Sequence, residues 1–276
     1  DDWINVGYDD TLNITEDLSI SYWIKNSTNN NAATTDWVIT RGDSWNNFNW
    51  GIVKSTGVLG KFQFRITPYC NGTGASAGNF YIQDDNWHHV AVAYESSDGT
   101  YNVWVDGVVN LTADTSLETL CSTTNDLYIG GGITSRYFNG SLDDVMIFNR
   151  TLTPQQVAAL YLNQSNRIVS KETTVGETWN ATVTPNDGFI DGESLWTGIL
   201  EIVSNNAPTH TTPILNSSLG TNLTTENLTV YNQSTADADG DRVKNIYNWY
   251  AENVSLTLLN MPFEGDSNSS NTKDYS

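Results

Sequence analysis

Asp237, Asp239 and Asp241 alternate along the chain with Gly240 for the bend, a spacing that turns successive carboxylates toward one centre. Such a set suits a hard cation such as Ca2+, which takes about six to eight oxygen ligands. The twelve-residue calcium loop is incomplete, because its last ligand position holds Asn248. An acidic turn in solvent is the alternative. His88 and His89 follow Trp87 where a strand starts, so one faces inward and one outward, with no third ligand nearby. Arg41-Gly42-Asp43 spells an integrin-type tripeptide but reads as a turn at a strand end. Trp45, Phe48 and Trp50 crowd an Asn-rich loop and form the best candidate for stacking on sugar faces, with Tyr69 in a neighbouring loop; Trp50 is also a core candidate. Gly-x-Ser-x-Gly, His-Glu-x-x-His and a phosphate-binding Gly-rich loop before a helix are all missing, so the chain reads as a non-enzyme.

The rest of the composition points outside the cell. Cys70 and Cys121 are the only cysteines and read as one disulfide, or else as two buried thiols. Asn-X-Ser/Thr sequons stand at Asn13, Asn26, Asn71, Asn110, Asn139, Asn149, Asn163, Asn180, Asn216, Asn222, Asn227, Asn232, Asn253 and Asn268. That is about twice the chance number and implies a glycoprotein. The chain has 12 basic against 32 acidic residues, a formal charge of -20. Scattered cations at that dilution do not neutralise a run of phosphates or an anionic membrane, so nucleic acid and anionic membrane surfaces are disfavoured as partners. No apolar run approaches the ~20 residues of a membrane span.

Something must position these groups, and the periodicity says strands. Leu18–Ile24 alternates large with small or polar residues. Similar runs are Asp36–Thr40, Trp50–Val53, Lys61–Ile66, Trp87–Tyr94, Tyr101–Val105, Leu127–Ile129 and Leu142–Phe148, with Asp98-Gly99 and Asp106-Gly107 as turns. One helix is expected after Thr153, where Thr153 caps, Pro154 opens, and Gln156 closes a capping box ahead of Val157, Leu160 and Tyr161. Many short strands with regular turns mean an all-β sandwich. After about residue 163 the pattern shifts. Strand-like Thr178–Thr184 and Leu200–Val203 precede a Pro- and Thr-rich stretch, Asn205–Pro213, that reads as a linker. Strands are expected again at Leu228–Tyr231 and Val243–Tyr250.

Residues 1–162 resemble a laminin-G-like, concanavalin A-type jelly roll, through LSISYWIK at Leu18–Lys25, WHHVAV at Trp87–Val92, VWVDG at Val103–Gly107, YIGG at Tyr128–Gly131 and the run Phe138–Tyr161. The resemblance implies a structural calcium at Asp143, helped by Asp144 or with Asp144 in solvent. Catalytic members of this fold carry carboxylates alternating along one strand as Glu-x-Asp-x-x-Glu, which this chain lacks. Residues 163–206 are similar to the second half of an immunoglobulin-like module of microbial surface proteins, and residues 207–260 to its first half.

In that family an apolar-Pro-Phe-acidic-Gly strand precedes the segment that stands here at Asp1-Asp2-Trp3-Ile4. An equivalent occurs instead at residues 261–276, as Met261-Pro262-Phe263-Glu264-Gly265 and Lys273-Asp274-Tyr275-Ser276. The expectation is therefore one period of a repeating extracellular array, cut inside the jelly roll. Its terminal strand would complete a neighbouring copy, and calcium would stiffen the junctions. A cell-surface filament or adhesin unit follows, with copies of itself as partners. The alternative is a carbohydrate-binding, lectin-like module with glycan partners. The module halves pair either within one chain or between chains.

Overall fold

The structure, a computed structural model, describes residues 3–27, 35–42, 47–55, 57–67, 76–115, 119–132 and 136–259. It divides into two units, Asp1–Thr173 and Thr174–Ser276.

In the first unit the alternating runs form two antiparallel sheets. One has six strands: β1 (Ile4–Gly7), β3 (Asp36–Arg41), β4 (Trp50–Lys54), β5 (Lys61–Ile66), β6 (Ser76–Tyr81) and β10 (Leu127–Ile129), in the order β1-β10-β3-β4-β5-β6. The other has β2 (Leu18–Asn26), β7 (Trp87–Glu95), β8 (Thr100–Val105), β9 (Val108–Asp114) and β11 (Gly140–Phe148), in the order β11-β2-β7-β8-β9. The all-β sandwich is therefore as the alternation predicts. Leu18, Ile20, Tyr22 and Ile24 of β2 are buried, and they pack with Val90, Val92, Phe62, Phe64 and Trp50 in one core.

The outer face of the five-stranded sheet has a different chemistry. Ser19 pairs with Ala93 and Ser21 with Ala91 across β2 and β7, giving a floor of small side chains. Helix α1 (Pro154–Tyr161) lies on that floor through Val157 and Leu160, with Leu152 and Trp104 alongside. Its capping box forms as the sequence predicts, with Gln156 N donating to Thr153 Oγ1 and Thr153 N to Gln156 Oε1. The β8–β9 turn is Asp106-Gly107, both at positive φ (52° and 75°), the twist that a two-residue hairpin requires.

At one side of the sandwich the sheets meet closely: a Cβ on Gly78 of β6 would stand 2.4 Å from Leu111 Cδ2 of β9. On the opposite side, between β1 and β11, a cleft opens among the described residues.

The second unit holds four two-stranded sheets. β12 (Thr178–Trp179) pairs with β15 (Leu200–Glu201), and β13 (Thr182–Val183) with β14 (Leu195–Trp196). β16 (Thr209–Ser217) pairs with β17 (Leu228–Ala236), and β18 (Tyr250–Ala251) with β19 (Val254–Ser255). Two expectations are corrected. The supposed linker at Asn205–Pro213 is largely strand β16, because its Thr-rich composition favours extended backbone and Pro213 falls where the register slips between Thr211 and Ile214. The strand expected at Val243–Tyr250 starts only at Tyr250, since alternation without a paired neighbour does not hold a strand. Among the described residues of this unit no large apolar side chain is buried.

Candidate functional site

Strand β11 organises the open side. It is an edge strand, bonded to β2 alone among the described strands, so no other described strand takes up its outer edge. Its register slips once. Asp143 faces Trp23 and Met146 faces Ser21, so three steps on β11 match two on β2. The extra residue is a bulge with Asp144 at φ 46°. Its effect is on side-chain direction: Leu142, Val145 and Ile147 all pack toward the core despite their odd spacing. Beside them a slot of about 500 Å³ opens between the two sheets, walled by Trp3, Ile4, Ile129, Phe138, Leu142 and Val145. Ile4 is 60% exposed at its rim.

On the outer face β11 walls two smaller clefts with α1 and the segment that follows it. The polar one is lined by Ser21, Trp23, His89, Asp144, Asn163 and Ser165, among others. Here Ser21 Oγ lies 2.9 Å from His89 Nε2, the spacing of a nucleophile and its base. The third member of such a set is missing: His89 Nδ1 is buried without a partner, and Asp106 instead accepts from the His89 backbone N–H at 3.0 Å. Burial lowers the His89 pKa to about 4 against a smaller opposing effect of Asp106, so the ring is neutral at neutral pH. Ser21 is itself buried. The pair is a structural hydrogen bond.

His88 has the opposite surroundings. Its Nδ1 is 2.7 Å from Asp106 Oδ2 and its Nε2 2.8 Å from Asp84 Oδ1. Desolvation pulls its pKa down, but the two carboxylates outweigh that and raise it overall. Alternation thus separates the two histidines as the sequence predicts, one inward and one outward, and each takes a distinct role.

The second unit holds the acidic turn. Ligand atoms of Asp237, Asp239 and Asp241 lie within 4.8 Å of one another. Asp237 Oδ1 accepts the backbone N–H groups of Asp239 and Asp241 at 2.8 and 3.2 Å, and Asp239 accepts from Asn206 N and Nδ2 at 2.6 and 2.9 Å. Those Asn206 bonds lower the Asp239 pKa. The convergent oxygens suit a hard cation, and the local N–H groups already offset part of their charge.

The other sequence candidates fall out differently. Asp143 and Asp144 are exposed, Asp143 Oδ1 accepts the Asp144 N–H at 2.9 Å, and no third acidic, His or Cys ligand joins them among the described residues. Phe48 and Trp50 are fully buried, which corrects their assignment to ligand binding: Phe48 packs with Trp37 and Val53, and Trp50 in the main core. Trp45 and Tyr69 lie outside the described residues. Arg41 is buried, with its guanidinium 5.4 Å from the Tyr8 ring, so it is not displayed as an adhesion tripeptide requires; Asp43 lies outside the described residues. Cys121 is not a free thiol, and its expected partner Cys70 lies outside the described residues.

Among the sequons, Asn26 is corrected. It is fully buried in β2 and donates Nδ2 to Ile82 O at 3.2 Å, leaving no room for a glycan. Asn13 is half-buried and engages Ser122 and Thr123. Asn110, Asn139, Asn149, Asn163, Asn180, Asn216, Asn222, Asn227, Asn232 and Asn253 are exposed, while Asn71 and Asn268 lie outside the described residues.

Residues 1–158 match the family described as the concanavalin A-like lectin/glucanases superfamily, Laminin_G_3. No curated protein sequence matches the chain. Similar solved structures include the ligand-binding domain of botulinum neurotoxin serotype D in complex with N-acetylneuraminic acid, 18% identical with a TM-score of 0.48, covering 59% of this chain and 40% of that one. Domain 4 of an extracellular GH43 arabinanase from Geobacillus stearothermophilus, in complex with arabinotriose, is 20% identical with a TM-score of 0.45, covering 58% and 72%. A heptameric pentraxin from Limulus polyphemus is 14% identical with a TM-score of 0.43, covering 58% and 74%. The chain spans about two fifths of the length of the toxin binding domains it matches.

Proposed function

The chain belongs, through residues 1–158, to the concanavalin A-like lectin/glucanases superfamily, and from that premise we propose that it is a non-catalytic structural unit of an extracellular, cell-surface array. In this reading units are joined by strand addition: an extended segment of a neighbouring copy lies along the outer edge of β11 and fills the slot. The observation that carries it is β11 itself, a strand at the sheet edge among the described residues, bordering a slot of about 500 Å³ that is walled by Trp3, Ile4, Phe138, Leu142 and Val145 with Asp143 and Asp144 on its β11 side. An added strand supplies the missing ladder bonds and puts alternate side chains into the slot. The segment Leu259-Asn260-Met261-Pro262-Phe263-Glu264-Gly265 has the composition for it, with Phe263 as the residue to bury. Apolar side chains left exposed in the second unit, such as Phe189, Ile199 and Leu258, also favour completion by a neighbour.

The rest of the reading follows. Calcium is held at Asp237, Asp239 and Asp241, a disulfide joins Cys70 to Cys121, and exposed sequons carry glycans. A synthetic peptide of residues 259–265 tests the central claim. It should raise the melting temperature and slow hydrogen exchange at β11 amides, and a backbone-methylated peptide should do neither. No protection at β11 would refute strand addition and leave a glycan-binding module, without added strands, as the reading of this fold.

A further inference from the structure

The clefts outside β11 carry a second inference, which stands apart from strand addition because they lie on the other face of the sheet. The apolar cleft, of about 110 Å³, is walled by Phe148, Leu152, Ala159, Leu160 and Ile168, and it shares Met146, Leu160 and Ser165 with the polar cleft beside it. Gln156 also lines it and is only 4% exposed. The capping box fixes the orientation of this amide: Oε1 must accept the Thr153 N–H, at 2.7 Å, so the amide has no free choice of flip. Nε2 is then left buried with no hydrogen-bond partner. A buried donor without an acceptor is unusual and calls for one.

The surrounding charge narrows the acceptor. Arg150 is committed to Glu172 at 3.1 Å and lies over the Phe148 ring, so this pair is neutral together. Arg167 also lines this cleft and Asp144 the adjoining one, so the double cleft carries no net charge and favours a neutral ligand over an anion. A neutral carbonyl remains. The volume is somewhat below the ~150 Å³ of a cavity that holds benzene, which admits a short acyl group and not a long chain.

We propose that this double cleft binds a small neutral acylamide group. The carbonyl oxygen accepts from Gln156 Nε2, the acyl methyl packs against Leu152 and Ile168, and the remainder of the ligand reaches the polar cleft. There Asp144 and Ser165 offer partners to hydroxyl or amide groups. N-acetylated hexosamines and N-acetylated amino-acid amides both carry this group.

Calorimetric or NMR titration of the full chain distinguishes the two sources, with N-acetylglucosamine in one arm and N-acetylalanine amide in the other. Binding in one arm only assigns the source, and binding in both shows that the acyl group dominates. Glucose, which lacks the acetamido group, should bind at least about tenfold more weakly than N-acetylglucosamine. Gln156→Glu keeps the capping-box acceptor and replaces the Nε2 donor with an oxygen. It should lose at least about tenfold in affinity and melt below the wild type, because the new carboxylate oxygen is buried without a donor. Silence in both arms up to the order of tens of millimolar overturns the proposal, as does unchanged affinity in Gln156→Glu. Should that variant not fold, the comparison of glucose with N-acetylglucosamine on the wild type decides, and equal affinities overturn it.

Discussion

Deleting a single residue, Asp144, tests the account of β11. The bulge places one extra residue between Asp143 and Met146, and with it Leu142, Val145 and Ile147 face the core. Without Asp144 the order Leu142, Asp143, Val145, Met146, Ile147 alternates cleanly, and each apolar residue keeps its side of the sheet. The deletion removes one left-handed, non-glycine residue, a relief of roughly 1 kcal/mol. It also removes the exposed Asp144 N–H bond to Asp143 Oδ1, worth about the same or less. The net change should lie within about 1 kcal/mol of zero. Deleting Val145 is the matched control. It brings Asp144 into the inward position, losing about 1–2 kcal/mol of apolar burial and facing a carboxylate into the slot, at a further cost of about 2 kcal/mol or more. Urea unfolding of the two variants, followed by near-ultraviolet circular dichroism, should show near-wild-type stability for the first and a loss of roughly 3 kcal/mol or more for the second. Equal losses would show that the bulge does not set side-chain direction in β11, and the reasoning above would be wrong.

A pH series separates the two histidines. The raised pKa of His88 means that its stabilisation is complete below the unfolded value, about 6.5, and is lost as pH rises through the folded value. His89, lowered to about 4, runs the other way and costs stability as pH falls from about 6.5 toward 4. The difference in melting temperature between wild type and His88→Asn cancels the His89 contribution; it should be largest near pH 5 and shrink as pH rises above about 6.5, and a gap independent of pH would remove the ion-pair account. Expression in a glycosylating host should place glycans on exposed sequons such as Asn110 and Asn139 and none on Asn26, read by peptide mass spectrometry; occupancy at Asn26 would contradict its burial. Calcium should raise the melting temperature, and Asp239→Asn should abolish that response; the same melt in chelator and in calcium would remove the cation from the acidic turn.

Much of the sandwich was legible because its strands obey a period of two and its turns use Asp-Gly pairs. The helix was legible down to its capping box. Strands β1 and β9 were not, since Ile4–Gly7 is short and Val108–Asp114 lies at a sheet edge with mostly exposed residues, so neither shows a clean apolar stripe. The site was less legible. Phe48 and Trp50 looked like a sugar platform because sequence shows aromatic type and not facing; the sheet turns both inward. Asn26 has a full sequon, yet its position in β2 opposite Gly140 decides its fate. Gln156 announced its cap through spacing from Thr153, but its stranded Nε2 follows from burial, which spacing does not show. The bulge at Asp144 had one trace in advance: Leu142, Val145 and Ile147 do not share a parity.

The hairpins of the second unit bear on how the chain ages in solution. Phe189 and Leu258 are each 96% exposed, and little packing resists local opening there. A trace of protease should therefore cut first beyond Thr173 and leave a resistant N-terminal fragment. Whatever covers these hairpins in their native setting would turn a fragile tail into a durable one. Digestion rate thus becomes a gauge of assembly that requires no knowledge of what the covering surface is.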